Sequence, residues 1–322
     1  MELNLSRGVD IIKKSKNIII AFHKRPDGDC LASAWILLMG LKSLNKKCVI
    51  VSSEEQPQYL DSIINNIIGK KKELFISLKR SKSFKPDLII VLDASNPERL
   101  NFNLKTLLLK KTIILNIDHH EDNTNFGNIN IVDPSLPAVS IIIVNLLKKM
   151  GINLNKKMAE LFFISIYSDT AGLTISHPVI PRMLLKIINA KADPVKLIGL
   201  LRLKKLRVFH LEGRVFSRIK KTKKSNIVWT WATQKDLKEC HANYSDFESI
   251  TEELSRIVEA KTFFFMKETA NKRWRVSIRS YNKNVRKIAA EFGGGGHRHA
   301  AGFDISGTLN QAKQKILQLC VK

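Results

Sequence analysis

Residues 17–29 read N-I-I-I-A-F-H-K-R-P-D-G-D: an apolar, β-branched run that stops abruptly at His23 and passes into a polar loop shaped by Pro26 and Gly28. Two later stretches end in the same way. Leu88 to Leu92 run into Asp93, and Ile113 to Ile117 run into Asp118-His119-His120. With a further run at 47–52, these predict strands at 17–23, 47–52, 87–93 and 112–118, separated or followed by amphipathic stretches, clearest at 31–44, 138–150 and 157–168. Short strands alternating with helices predict an α/β fold, a parallel sheet with helices on both faces. The carboxyl ends of parallel strands line one crevice, so residues far apart in sequence should meet there.

Working outward, the Lys/Arg/Leu-rich stretch from about 200 to 224 lacks strong turn signals and predicts a helical connector. Beyond it the order changes to a strand at 226–232, a helix at 247–259, strands at 261–267 and 273–280, a helix at 285–292, a glycine run, a strand at 301–306 and a last helix. This is the pattern of a smaller α+β domain. The expected organisation is therefore a first domain over 1–195, a connector over 196–224 and a second domain over 225–322, with the active site in the cleft between the domains. A length of 322 residues agrees with two separate hydrophobic interiors.

The crevice collects a particular donor set. His23, Asp27 and Asp29 fall within seven residues after the first strand, and Asp93, His119 and Asp169 bring the set to four carboxylates and two imidazoles. Taken singly, each has an ordinary role: a carboxylate after a strand caps a helix or turn, and a lone histidine packs. Together, hard oxygen donors mixed with imidazole suit Mn²⁺ or Mg²⁺. Four carboxylates at that spacing cannot all stay ionised without compensation, and two divalent cations balance them charge for charge. Ser33 and Cys30, the rival nucleophiles, lie on the predicted helix after the loop with no base evident beside them.

In the second domain Trp274, Val276 and Ile278 alternate with Arg273, Arg275, Ser277 and Arg279, so one strand face packs and the other offers cations. Gly293 to Gly296 are too glycine-dense for a stable helix or strand. Such a run lets main-chain N–H groups of Gly294, Gly295 and Gly296 approach an anion, with His297 directly after.

Lys plus Arg number 54 against 29 Asp plus Glu, a formal charge of +25 that predicts attraction to polyanions or anionic small molecules. A genome biased toward Lys, Ile and Asn codons yields the same excess. The four cysteines form no Cys-x-x-Cys pair, which argues for reduced thiols. Charged residues throughout the first sixteen positions and the lack of a membrane-length apolar stretch predict a cytoplasmic protein.

The strings H-K-R-P-D-G-D, V-L-D-A-S-N, N-I-D-H-H and Y-S-D-T-A-G, followed far downstream by F-G-G-G-G-H-R-H-A-A-G, resemble the DHH phosphoesterase family with its DHH-associated C-terminal domain. The nearest branch includes oligoribonucleases, phosphatases of 3′-phosphoadenosine 5′-phosphate and enzymes that degrade cyclic di-AMP or its linear product. The resemblance implies two Mn²⁺-type ions, with Asp93 bridging, His23 and Asp27 on one ion, and Asp29 and His119 on the other; the partner of Asp169 stays open. It further implies that Asp118 orients the site from behind the ligands, and that His120 meets substrate phosphate or donates a proton to the leaving oxygen. Arg279, in S-I-R-S, matches the family's phosphate-contacting arginine.

Ala32, Ala171, Leu173 and Thr174 depart from the family pattern, leaving the metal ligands intact but the substrate open. The expected activity is a metal-dependent phosphodiesterase that releases mononucleotides from short oligonucleotides or pApA, with cyclic di-AMP as a further candidate. The alternatives are a phosphatase of 3′-phosphoadenosine 5′-phosphate and an inert nucleic-acid-binding protein. The oligomeric state stays open, a homodimer included.

Overall fold

In a computed structural model of the chain, the apolar runs build a six-stranded sheet in which every pairing is parallel. The structure describes residues 2–321 apart from 53–57, 70–73, 82, 101, 223–225, 248–249 and 270–272. Its strands are β1 (Asn17–Phe22), β2 (Lys47–Val51), β3 (Phe75–Ile76), β4 (Leu88–Leu92), β5 (Ile113–Asp118) and β6 (Ile129–Val132), in the order β3-β2-β1-β4-β5-β6. Chain direction across the sheet reverses between β1 and β4, and ligands bind at such a switch point, outside the carboxyl ends of the strands. His23 and Asp93 are the residues that follow those two strands.

Ile18, Ile20 and Phe22 face a core shared with α1 (Glu2–Lys14), α2 (Gly28–Ser43), α3 (Gln58–Ile68), α5 (Val139–Lys149) and α6 (Lys156–Asp169). Ile19, Ile89 and Val91 face the other way, covered by short pieces that include α4 (Leu78–Ser81) and the 3₁₀ turns Pro97–Arg99 and Leu104–Leu107. α2 is apolar nearly all round because it is buried all round, from Gly28 to Leu41 apart from Met39. Gly28 is required at its start: a Cβ there would lie 2.7 Å from Cβ of Ser168 in α6. That close approach brings the loop carboxylates beside Asp169, the last residue of α6. Two further helices, α7 (Ile180–Asn189) and α8 (Pro194–Leu201), complete a first unit that spans Met1–Leu203.

The stretch expected as one connector falls on both sides of this division. α9 (Leu206–Phe216) belongs to the second unit, Lys204–Lys322, where Leu211 and Val215 bury against Val228 and Phe263. The apolar stripe Val208, Leu211, Val215 has helical spacing and needs a core, which a solvated linker does not provide.

The second unit carries its own six-stranded sheet, ordered β11-β12-β10-β9-β8-β7 and antiparallel except between β8 and β9. Its strands are β7 (Lys220–Lys221), β8 (Ile227–Ala232), β9 (Thr262–Thr269), β10 (Arg273–Ser280), β11 (Gly295–Gly296) and β12 (Ala300–Ser306). One face packs on α12 (Val285–Ala290) and α13 (Leu309–Val321), the other on α9, α10 (Gln234–Glu239) and α11 (Ile250–Leu254).

Two expectations change here. Of the helix expected at 247–259, residues 248–249 lie outside the described residues, and the helix α11 ends at Leu254: Ser255 turns its hydroxyl back to the Glu252 carbonyl at 2.6 Å, and the chain leaves the helix. The glycine run also contains a strand, since Gly295 and Gly296 pair with Gly302 and Ala301. Density of glycine is the reason it fits: a Cβ on Gly294 would lie 2.3 Å from the Gly302 carbonyl oxygen, so only a bare backbone comes this close to β12. No helix among the described residues is long and apolar enough to cross a membrane.

Candidate metal centre

The ends of β1, β4 and β5 aim His23, Asp93 and His119 into the switch-point crevice. His23 sits just past β1, with Nδ1 2.8 Å from the Lys24 carbonyl oxygen. A carbonyl only accepts, so Nδ1 carries the hydrogen and Nε2 turns to Asp93 Oδ2 at 3.3 Å and Asp27 Oδ2 at 3.7 Å. His119 repeats the arrangement after β5. Its Nδ1 lies 3.0 Å from the Leu136 carbonyl, and Nε2 faces Asp169 at 3.1 Å, Asp93 Oδ1 at 3.4 Å and Asp29 Oδ2 at 3.8 Å. Backbone carbonyls on the far nitrogens are how proteins present imidazoles to metal ions.

Asp93 stands between the two imidazoles. Its backbone is left-handed, φ +55°, which among residues with a side chain Asp and Asn tolerate best. The side chain is buried, and no hydrogen bond reaches Oδ1 among the described residues. Such a carboxylate is costly to hide unless something compensates it.

Asp29 is fully buried and held from three sides. Ser165 and Ser33 hydroxyls donate to Oδ1 at 2.6 and 3.0 Å, and the Val139 N–H, the first of α5, donates to Oδ2 at 2.7 Å. A helix N-terminus favours the negative charge. Asp27 caps α2, accepting from the Cys30 N–H at 3.1 Å, while half of its side chain stays open to solvent. The Cys30 Sγ, the His23 ring and the Asp27 and Asp93 carboxylates form one cluster of ligand atoms within 4.8 Å of one another, and Asp29, Asp93 and His119 form a second.

Asp118 behaves differently from the other carboxylates. Its Oδ1 accepts from the His119 N–H at 2.8 Å and from His120 Nδ1 at 2.7 Å, and its Oδ2 accepts from Asn123 Nδ2 at 2.6 Å. Chain donors therefore occupy both oxygens, and the residue orients His119 and His120.

The electrostatics call for cations. Burial raises the Asp29 carboxyl well above the usual range, with Asp169 and Asp93 pushing the same way, and burial raises Asp169 as well. Burial opposes the charge on Asp93 too, yet His119 and His23 hold it well below the usual range. Burial disfavours an imidazolium at His119, but Asp169 and Asp93 outweigh it and raise the ring well above its ordinary value. Without cations, protons on the imidazoles compensate the carboxylates. The donor set fits divalent ions, whose charge would replace those protons.

All six residues read from the sequence thus meet in one place. Reading residue types missed their supports, Ser33, Ser165 and Asn123, and missed that Cys30 lies beside a ring: His23 is within reach of a thiol for which no base is evident in sequence. Burial nonetheless raises that thiol and leaves it a poor nucleophile. In the second unit, Arg279 lies on β10 beside Phe263, and burial lowers its guanidinium. His297 is exposed at a tight turn in which its N–H donates to the Ala300 carbonyl at 2.8 Å.

Comparison with known proteins agrees with this geometry. The DHH family, N-terminal domain, matches residues 17–166, and the DHHA1 domain matches residues 239–322. The chain belongs to the DHH family. It is thereby an enzyme of a divalent-metal-dependent phosphoesterase family. This DHH chain is 29% identical to the "Bifunctional oligoribonuclease and PAP phosphatase NrnA" of Mycoplasma genitalium, over 99% of its own length and 97% of the relative's. The protein of the same name from Thermus thermophilus is 26% identical, over 94% and 88%. An exopolyphosphatase-related protein from Bacteroides fragilis shares the fold at a TM-score of 0.89 and 22% identity, covering 99% of this chain and 96% of that one.

Proposed function

We propose that the chain is a phosphodiesterase that cuts short oligonucleotides and linear dinucleotides such as pApA into mononucleotides, with cyclic di-AMP a further candidate. The observation that carries this reading is Asp93, a buried carboxylate between two imidazoles with one oxygen that no hydrogen bond reaches among the described residues. His23, Asp27 and Asp93 would hold one ion, and Asp29, Asp93 and His119 the other, with Asp169 beside His119. Among the hard cations Mn²⁺ is the first choice and Mg²⁺ the second. When bound, such ions neutralise charge growing on the phosphoryl oxygens and lower the pKa of the attacking water.

The remaining steps belong to the chain. Ser33, Ser165 and the α5 N-terminus hold Asp29 in place, and Asp118 fixes the ring of His120. Burial opposes protonation of His120, but Asp118 and Asp93 raise it, so the ring holds a proton for the leaving oxygen. Arg279, the Gly294, Gly295 and Gly296 amides and His297 would take a phosphate or base away from the scissile bond. In this reading the enzyme works in the cytoplasm.

The names of the relatives support both halves of a second reading, in which the same centre also removes the 3′-phosphate of 3′-phosphoadenosine 5′-phosphate. The test is a panel of pApA, cyclic di-AMP, RNAs of increasing length and 3′-phosphoadenosine 5′-phosphate, assayed with Mn²⁺ and with Mg²⁺. Chains of about two to five residues, the span of a compact pocket, should be cut faster than long RNA at equal concentration of ends. Rates that climb steadily with length would instead mark a processive nuclease.

A further inference from the structure

We propose that Cys30 supplies a sulfur ligand to the cation position made by His23, Asp27 and Asp93, and that this sulfur makes the position prefer thiophilic divalent ions such as Zn²⁺ and Co²⁺ over Mn²⁺ and Mg²⁺. The inference rests on the reading of the site as a metal centre. It goes further by making the two positions unequal.

Three observations carry it. The Cys30 Sγ belongs to the cluster of ligand atoms that lie within 4.8 Å of one another, together with the His23 ring and the carboxylates of Asp27 and Asp93. The neighbouring cluster of Asp29, Asp93 and His119 offers only oxygen and nitrogen. Cys30 is also held rigidly: it is fully buried in the first turn of α2, its N–H capped by Asp27 and its Sγ 3.6 Å from the Asp27 carbonyl oxygen, to which the thiol donates.

Thiolate ligands select zinc-like ions, whereas carboxylates and water suit manganese and magnesium. A cation that binds the sulfur takes the place of the S–H proton, which leaves to solvent. The other cysteines do not share this setting. Cys48 points its thiol at the Leu38 carbonyl, and Cys240 and Cys320 pack in the cores of the second unit.

The experiment titrates the metal-free full chain with Co²⁺ and follows the near-ultraviolet sulfur-to-cobalt charge-transfer absorption, in the native protein and in the Cys30→Ala and Cys30→Ser variants. The native chain should show the band and both variants should lack it. Competition with Zn²⁺ should show an affinity about 10–100-fold weaker in the variants, the scale of losing a partner at a metal site, while Mn²⁺ affinity stays close to native. Cobalt bound to the native chain without the band overturns sulfur ligation and leaves the metal centre standing. A band that persists in Cys30→Ala overturns it equally. A chain that binds no cobalt overturns both this inference and the metal centre beneath it. Should a variant fail to fold, the native spectrum alone still decides the first and the third of these outcomes.

Discussion

Asp93 in the first unit and Asp236 in the second are equally hidden, each 2% exposed, yet their surroundings treat them in opposite ways. Arg218 donates to both oxygens of Asp236, each at 2.6 Å, and the Thr233 N–H and hydroxyl donate to Oδ2 at 2.8 Å. Burial opposes that charge, but Arg218 and Thr233 outweigh it and lower the carboxyl to about 2. Asp93 faces imidazoles, further carboxylates and the Cys30 thiol, on a left-handed backbone, with an oxygen that no hydrogen bond reaches among the described residues. A buried charge answered by its own chain holds structure together, while one left for an outside partner marks a binding site. Arg279 makes the same point with the opposite sign: no carboxylate of the described residues lies within ion-pair distance, and burial lowers it, whereas the bonds that Arg218 donates to Asp236 raise Arg218.

The contrast is broken or sharpened most strongly at Asp93. Asp93→Asn keeps the shape and the tolerance for a left-handed backbone but removes the shared charge, so turnover should fall by about 10³-fold or more and metal stoichiometry with it. The metal-free variant should melt below the metal-free native chain at neutral pH, because His119 and His23 hold the Asp93 carboxyl well below its usual range and that stabilisation goes with the charge. Normal turnover at full metal occupancy would end the assignment.

A smaller effect is expected at Arg279. Removing a charge-assisted hydrogen bond to phosphate, about 1.5–3 kcal/mol, should make Arg279→Ala bind substrate about 10–100-fold more weakly with metal content unchanged. An unaltered KM on every substrate would take the residue out of the site.

Asp236→Asn should cost only stability, about 2 kcal/mol at neutral pH. The sign follows from the lowered carboxyl. Its contribution is complete above the ordinary value of 3.8 and is lost as pH falls through about 2. Melting curves of the native chain and this variant should therefore converge in acid. A gap that persists at pH 2, or a loss of metal at pH 7, would erase the difference between the two carboxylates.

Much of the first unit was legible because its signals are local. The runs that end in His23, Asp93 and Asp118 are buried parallel strands, and topology brings the carboxyl ends of such strands together whatever lies between them. The alternation through β10 was legible for the same reason, since side chains of an extended chain must alternate. Misreadings arose where a distant partner decides. Gly295 and Gly296 are a strand only because β12 lies beside them, and 196–224 divides only because Leu211 and Val215 find a core.

What the sequence determined by itself is the donor set and its order along the chain, from His23 to Asp169, because residue type fixes ligand chemistry and strand ends fix the meeting place. Tertiary structure alone decided which atoms face one another. The carbonyls of Lys24 and Leu136 choose the imidazole nitrogens that turn inward, Gly28 lets α2 close on α6, and the helix start of α5 holds Asp29. Each of these depends on the approach of two backbones to within hydrogen-bond or van der Waals distance, and residue type alone carries no record of that separation.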